Sequence, residues 1–266
     1  MADSGHVNDA TDAGPEPART GSQSIERALQ VLGFFAEEPA LSVTEIGRRL
    51  GLSVSTAHRI TRALVRAGYL DQDPVTERYR LGRMIAVLGR AVTDSLSLAA
   101  AQALLDRAAS EWDESVSLGV IDHHDVLILA NAESSQPLRF DRASGSRTPV
   151  HASAIGKAIL AFAPRDQSRR PTALAAFTDQ TIVRTDDLEA QLDEIRERGV
   201  ALNVEERYAG VCAVAAPIVD RRGIARAGVG FQVPLARFGD ARRSELATAA
   251  RALAAQLADA LPLDRL

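Results

Sequence analysis

Between residues 42 and 68 the chain spells out two helices, with both ends marked and only three residues between them. Ser42-Val43-Thr44-Glu45 sets a hydroxyl and a carboxylate three positions apart, the spacing at which each satisfies the other's free backbone donor. A helix over about Val43–Leu50 follows, and Gly51 ends it because glycine enters the left-handed region without steric cost. Ser53 caps the next helix, VSTAHRITRALVRAG, which runs to Gly68. Two helices separated only by Gly51, Leu52 and Ser53 have little choice but a helix-turn-helix.

What flanks this pair extends it into a module. Upstream, Ile25, Ala28, Leu29, Leu32 and Phe35 recur at helical spacing, with Ser22 or Ser24 available as cap, and Pro39 breaks the chain afterwards. Downstream, YLDQDPVTERYRL reads as two short strands around Asp73-Pro74, a hairpin in the position of a wing. From Gly82 to about Leu96 a helical pattern resumes through Met84, Ile85, Leu88, Ala91 and Val92. The expected organisation is a disordered acidic tail over 1–21, a winged helix-turn-helix over 22–82, a linker helix over 83–97 and a second domain over 98–262. In the last of these, strand pairs alternate with helices: SVSLGVID with DVLILANAE, then ASAIGKAILAFA and DLEAQLDEIRERG, then VCAVAAPIVD with ARAGVGFQV, and a closing helix. Hairpins flanked by helices predict α+β rather than a parallel α/β sheet.

Charge is distributed unevenly. The chain carries a net −4, yet residues 22–90 hold ten arginines against seven acids. On the second helix of the pair Ser55, Arg59, Arg62 and Arg66 fall on one stripe, while Ala57, Ile60, Leu64 and Val65 turn to the core. A guanidinium fork can grip guanine O6 and N7 or clamp a phosphate, so Ser55, Thr56, Arg59 and Arg62, with His58 beside them, are the expected groove-facing set. Ser53 sits at the helix N-terminus, which favours phosphate oxygens. Arg27, Arg48 and Arg49 are candidates for flanking phosphates, and Arg78 and Arg80 on the wing for backbone or minor groove. Each arginine alone also fits an ordinary solvated helix face; the combination with caps, turn and wing points to double-stranded DNA.

The segments SIERALQVLGFFAE, LSVTEIGRRLGLSVSTAHRITRALVRAGYL and ERYRLG together resemble the DNA-binding domain of the IclR family, the isocitrate-lyase-regulator type of bacterial regulator. HASAIGKAILAF and EIRERGVALNVEERYAGVCAVAAPIVD resemble that family's effector-domain motifs, so the likeness covers about Ser22 to Leu261. The resemblance implies a winged helix-turn-helix joined by a helix to a GAF-like effector domain. It also implies a homodimer or homotetramer on an inverted-repeat operator, and a small-molecule effector that shifts DNA affinity. It places the effector pocket at the start of the HASAIGKA helix, with Ala154 and Ile155 presenting backbone amides, and at the strand pair carrying Asn203, Cys212 or Ala213, Gly230, Phe231 and Gln232. Two departures stand out. The family's cysteine or small polar residue four positions before the proline is Ala213 here, with Cys212 displaced by one, which on a strand reverses the face. The serine-rich close of the last strand is replaced by Gly230-Phe-Gln-Val-Pro234. Both favour a larger or more apolar ligand than a tiny oxyacid.

Other chemistries are weakly marked. Cys212 is the chain's one cysteine, which excludes an internal disulfide and any two-thiol cycle, and with no export signal points to the cytoplasm. Lys157 is the one lysine, but Gly156-Lys157 is no phosphate loop, since His151 stands where the motif needs glycine and Ala158 where it needs Ser or Thr. A structural ion pair is the expected role for Lys157. His123 and His124, between Asp122 and Asp125, point apart on a tight hairpin tip, so no metal and no cofactor is expected. Glu205 reads as structural, holding an arginine, and no run is long enough to span a membrane. Two readings compete with a ligand-switched regulator: an enzyme using Lys157 or Cys212, and a sensor acting by assembly alone.

Overall fold

The computed structural model describes residues 20–36, 38–164, 171 and 173–266, and the chain divides into two compact units after Leu88. Residues 1–19 of the expected tail lie outside the described residues. The first unit opens on α1 (Thr20–Phe34), so Thr20 and Gly21 are helical and Ser22 and Ser24 lie inside the helix rather than capping it. The Ser22 hydroxyl instead donates to Glu26 one turn on, at 2.8 Å.

Helix α2 (Val43–Leu50) carries the full capping box: the Ser42 hydroxyl accepts from the Glu45 amide, and the Glu45 carboxylate accepts from the Ser42 amide. Those two donors would otherwise face solvent unpaired. Gly51 closes the helix at φ 65°, where a side chain would be strained. Helix α3 (Val54–Arg66) follows, its N-cap Ser53 accepting from the Thr56 amide. Ile46, Ala57, Thr61 and Leu64 are buried between the helices, with Ile60 and Val65 packed at the margin. The hairpin β1 (Leu70–Gln72) and β2 (Tyr79–Leu81) pairs Leu70 with Leu81, and Tyr79 also bridges Leu41. Leu41, Leu70 and Tyr79 are almost wholly buried, so the wing is fastened through its own core residues.

Helix α4 (Arg83–Ser95) straddles the division and buries none of its residues. The second unit contains α5 (Leu98–Trp112), β3 (Ser115–Asp122), β4 (Asp125–Ala132), β5 (Arg147–Pro149), α6 (Ala154–Phe162), α7 (Thr185–Arg198), β6 (Ala201–Val204), β7 (Val211–Val219), β8 (Ala225–Pro234) and α8 (Asp240–Ala260). Its six strands form one antiparallel sheet in the order β5-β4-β3-β8-β7-β6. The short edge strand β6 was not among the expected strands. Four residues directly after a charged helix give too little alternation to read.

Side-chain parity splits the sheet into two faces. Cys212, Val214, Ala216 and Ile218 of β7 join Ala227, Val229, Phe231 and Val233 of β8 under α5 and α8. Ala201, Ala215 and Ala225 face α6 and α7. Helix α6 lies close on the sheet because Gly228 and Gly230 leave room for Ile155: a methyl at Gly230 would come within 2.9 Å of Ala215 and 3.1 Å of Ile155. The next residue of that parity, Gln232, therefore emerges at the end of the helix–sheet contact.

Candidate functional site

In the first unit α1 and α3 wall an open groove of about 870 Å³. Arg27, Arg59, Arg62 and Arg66 line it together with Thr56 and His58, and among the described residues none that lines it is acidic. Ser53, Ser55, His58, Arg59, Arg62 and Arg66 are exposed, and Thr56 is half-buried. The three hydroxyls cluster at the helix start, Ser53 Oγ lying 3.1 Å from Ser55 Oγ and 3.0 Å from Thr56 Oγ1. Among the described residues Arg27, Arg48, Arg59, Arg62 and Arg80 enter no ion pair.

Two of the candidate arginines are committed elsewhere. Arg49 bonds Glu38 and lies over the Phe34 ring, 5.5 Å from its centroid. Arg78 donates to the Ala40 carbonyl at 2.8 Å and approaches the Glu45 carboxylate at 3.0 Å, tying the wing to the capping box of α2. Glu45 sits below the ordinary carboxyl range, first because the Ser42 backbone and hydroxyl donate to it, then because Arg78 is near. Both arginines are thus tied to acids of the same unit.

In the second unit a small cavity of about 20 Å³ opens where α6 begins. Its floor is one cross-strand row: Asn203 of β6 pairs with Ala213 of β7, which pairs with Gln232 of β8. Ala154 and Ile155 supply the helix end, where first-turn amides have no partner in the helix ladder. Ser153 caps α6 by accepting from the Gly156 amide at 3.3 Å. Asn203 donates to the Ala152 carbonyl at 2.8 Å and accepts from the Glu206 amide at 3.2 Å. Gln232 is likewise occupied, accepting from Ser117 and donating to the Gly230 carbonyl.

Phe231 and Gly230 do not reach this cavity. Phe231 belongs to the opposite face with α8, and Gly230 is covered by Ile155. Cys212 borders the cavity in its chain, but its side chain is buried in the core under α8, where burial pushes the thiol above its ordinary range. Ala213 takes the α6 face instead. The sequence reading missed Arg142, Ser153, Arg207, Tyr208 and Val211, which complete the wall. The strand departures point to a larger or more apolar ligand; the cavity as it stands is small, and its wall includes two arginines. That inference weighed only strand residues, whereas Arg142 and Arg207 arrive from loops.

Lys157, Glu206, Glu205 and Asp122 each have a partner. Lys157 and Glu206 form a buried ion pair at 2.5 Å, Glu206 Oε2 remaining without a partner. Burial holds the lysine below and the glutamate above their ordinary ranges. Glu205 does not hold an arginine: its carboxylate accepts from the Gly210 amide at 2.7 Å and so closes the loop between β6 and β7. Asp122 on the hairpin tip bonds Arg147 and His123.

Comparison with known proteins bears on both units. Residues 24–74 match the IclR helix-turn-helix domain model, and residues 90–259 match the model of the bacterial transcriptional regulator IclR C-terminal domain. The chain is 37% identical over 233 residues to the HTH-type transcriptional regulator BhcR of Paracoccus denitrificans, covering 86% of this chain and 84% of that one. It is 38% identical over 212 residues to the glycerol operon regulatory protein of Streptomyces coelicolor, covering 79% and 84%. The crystal structure of an IclR transcriptional regulator from Alicyclobacillus acidocaldarius superposes with a TM-score of 0.80 at 25% identity, covering 90% of this chain and 98% of the other.

Proposed function

The chain belongs to the IclR family and is a DNA-binding transcription regulator with a C-terminal ligand-binding domain, not an enzyme; from that premise we propose how its residues divide the work. Helix α3 enters the major groove, where Arg59 and Arg62 read base edges and Ser55, Thr56 and His58 adjust its fit. Ser53 and the amides at the start of α3 hold a phosphate, and Arg27, Arg48 and Arg80 hold the flanking backbone. Arg49 and Arg78 act indirectly, through Glu38 and Glu45.

Two copies bind an inverted repeat, presenting their recognition helices to half-sites about 34–36 Å apart. Residues 22–82 form the DNA-binding domain, 83–97 the connecting helix and 98–262 the effector domain. The effector occupies the cavity bounded by Ala154, Ile155, Asn203, Ala213 and Gln232, and favours one arrangement of the dimer over another. Effector and operator affinities are then coupled reciprocally. The regulator works in the cytoplasm, where its operator is; among the described residues no single helix is long and apolar enough to cross a membrane.

The observation that carries this reading is the acid-free groove along α3, with four arginines in its lining. Fluorescence anisotropy on operators selected from a genomic library, at fixed salt of about 150 mM, tests it. Saturable binding at least ~1000-fold tighter than to scrambled DNA, weakened in Arg59→Ala and Arg62→Ala, is expected. Sequence-blind binding untouched by either change would sink it.

A further inference from the structure

Among the described residues two cations beside the cavity in the second unit have no carboxylate partner. Arg142 and Arg207 both line it, and neither enters an ion pair among the described residues. The nearby acids are already engaged: Asp141 by Ser115 and Arg139, Glu205 by the Gly210 amide, Glu206 by Lys157. Arg207 is clamped between rings instead, 3.8 Å from the Phe177 centroid and 5.0 Å from that of Tyr208, with its buried Nε making no hydrogen bond. Arg142 lies over Phe140, itself 5.2 Å from Tyr208, and donates to Thr148 Oγ1. Burial holds Arg142 below the ordinary guanidinium range, Tyr208 opposing the shift and Arg207 adding a smaller repulsion to it.

Ring faces fix where a guanidinium sits, but they do not neutralise it. A half-buried charge left without a counter-ion is costly, and two that repel each other are costlier. The rings hold that arrangement ready for something that supplies the missing charge. The other donors on the same wall have the same preference: the first-turn amides of α6 and the hydroxyl of Ser153. The cavity is small, about 20 Å³, and open on one side, so the occupant's charged head group meets the arginines at its mouth and must be compact.

We propose that the effector is a compact dianion, a phosphate monoester or a small dicarboxylate, whose two charges are read by Arg142 and Arg207. This rests on the cavity being the effector site. Specificity lies in the count of charges: a monoanion leaves one guanidinium buried and uncompensated, whereas a dianion satisfies both.

Calorimetric titration of the full chain at constant ionic strength tests it, with methyl phosphate against dimethyl phosphate and succinate against its monomethyl ester. One of the two dianions is expected to bind at least ~30-fold tighter than its singly charged partner. If it is methyl phosphate, its affinity falls as pH drops through its second ionisation near ~6, while that of dimethyl phosphate does not change. Arg142→Gln and Arg207→Gln should each lower the dianion's affinity ~10-fold or more and narrow the gap between partners, and Arg207→Lys should restore part of it. Melting temperatures of the variants verify that they fold. Equal affinity for both members of each pair, unaltered affinity in the glutamine variants, or no binding of either dianion at about 10 mM would overturn the proposal. A chain that binds an operator but neither dianion fails only this inference; one that binds a dianion but no operator fails the DNA reading.

Discussion

Among the described residues Arg59 and Arg62 on α3 share with Arg142 and Arg207 beside α6 the lack of a carboxylate partner, but the four side chains stand in different solvents. The α3 pair is exposed, so water and mobile counter-ions already screen it, and its cost to the fold is negligible. Such a surface gains by releasing those ions onto a polyanion, a generic attraction that salt abolishes. The second pair is half-buried against aromatic rings, and its charge is not screened in that way. The fold elsewhere avoids that situation: buried Glu114 accepts from two of the three guanidinium nitrogens of Arg237, at 2.9 and 2.7 Å. An uncompensated charge thus carries different information by depth, a polyanion surface outside and a missing small anion inside.

The Lys157–Glu206 pair gives the most forceful test of that contrast. Glu206→Gln leaves Lys157, fully enclosed, without its counter-charge, and loss of one partner of a buried pair costs about 3–5 kcal/mol. For a unit of this size the expected drop in melting temperature is roughly 10 °C, with much of it recovered in Lys157→Met with Glu206→Gln. An unchanged melting temperature would mean that the pair is already neutral and that burial alone sets its protonation. Next in size are the α3 arginines: Arg59→Ala or Arg62→Ala should cost about 1–3 kcal/mol of operator affinity with no loss of stability. If one of them holds a phosphate instead, the slope of log affinity against log salt shrinks by about 0.9 and discrimination between sequences survives. Smaller still, Arg142→Met in buffer free of multivalent anions should leave stability within about 1 kcal/mol of the parent, because it removes a charge as well as a contact. Arg237→Met, which leaves buried Glu114 only the more distant Arg242 at 3.6 Å, should cost more. Equal losses would erase the distinction between compensated and uncompensated charge.

Which residues were legible in the sequence follows from the range of the forces involved. The capping box, the Gly51 stop and the α3 stripe are set within one helical turn, so Ser42, Glu45 and Ser53 announce them. The α+β class was readable because strand and helix periods differ. The cavity was readable only in part. Asn203, Ala213 and Gln232 share a row because of register across three strands, and the faces of Phe231 and Cys212 depend on which parity β7 and β8 adopt. Arg142 and Arg207 left no local sign, since an arginine in a loop reads as solvated surface until Phe140, Phe177 and Tyr208 are brought beside it. For Arg49 and Arg78 the opposite holds: basic residues near a DNA-reading helix read as contacts until Glu38 and Glu45 prove to hold them.

Two caps of the same module offer the finest separation of folding from recognition. Ser42 and Ser53 each accept a backbone amide at the start of a helix, and replacing either with alanine should cost about 1 kcal/mol of stability. In a unit this small that amounts to about 4–8 °C of melting temperature. Ser42 is also engaged by Glu45 and is set apart from the arginine-lined groove, so Ser42→Ala should leave operator affinity unaltered wherever the protein is folded. Ser53 is exposed and clusters with Ser55 and Thr56 at the end of the recognition helix, so Ser53→Ala should lose stability and, separately, about fivefold in operator affinity. Melting curves and anisotropy titrations of the two variants, run at one temperature below both transitions, resolve the two contributions. If Ser42→Ala weakened operator binding as much as Ser53→Ala, the hydroxyl cluster would be a folding device alone, and phosphate recognition would fall to the amides and arginines of α3.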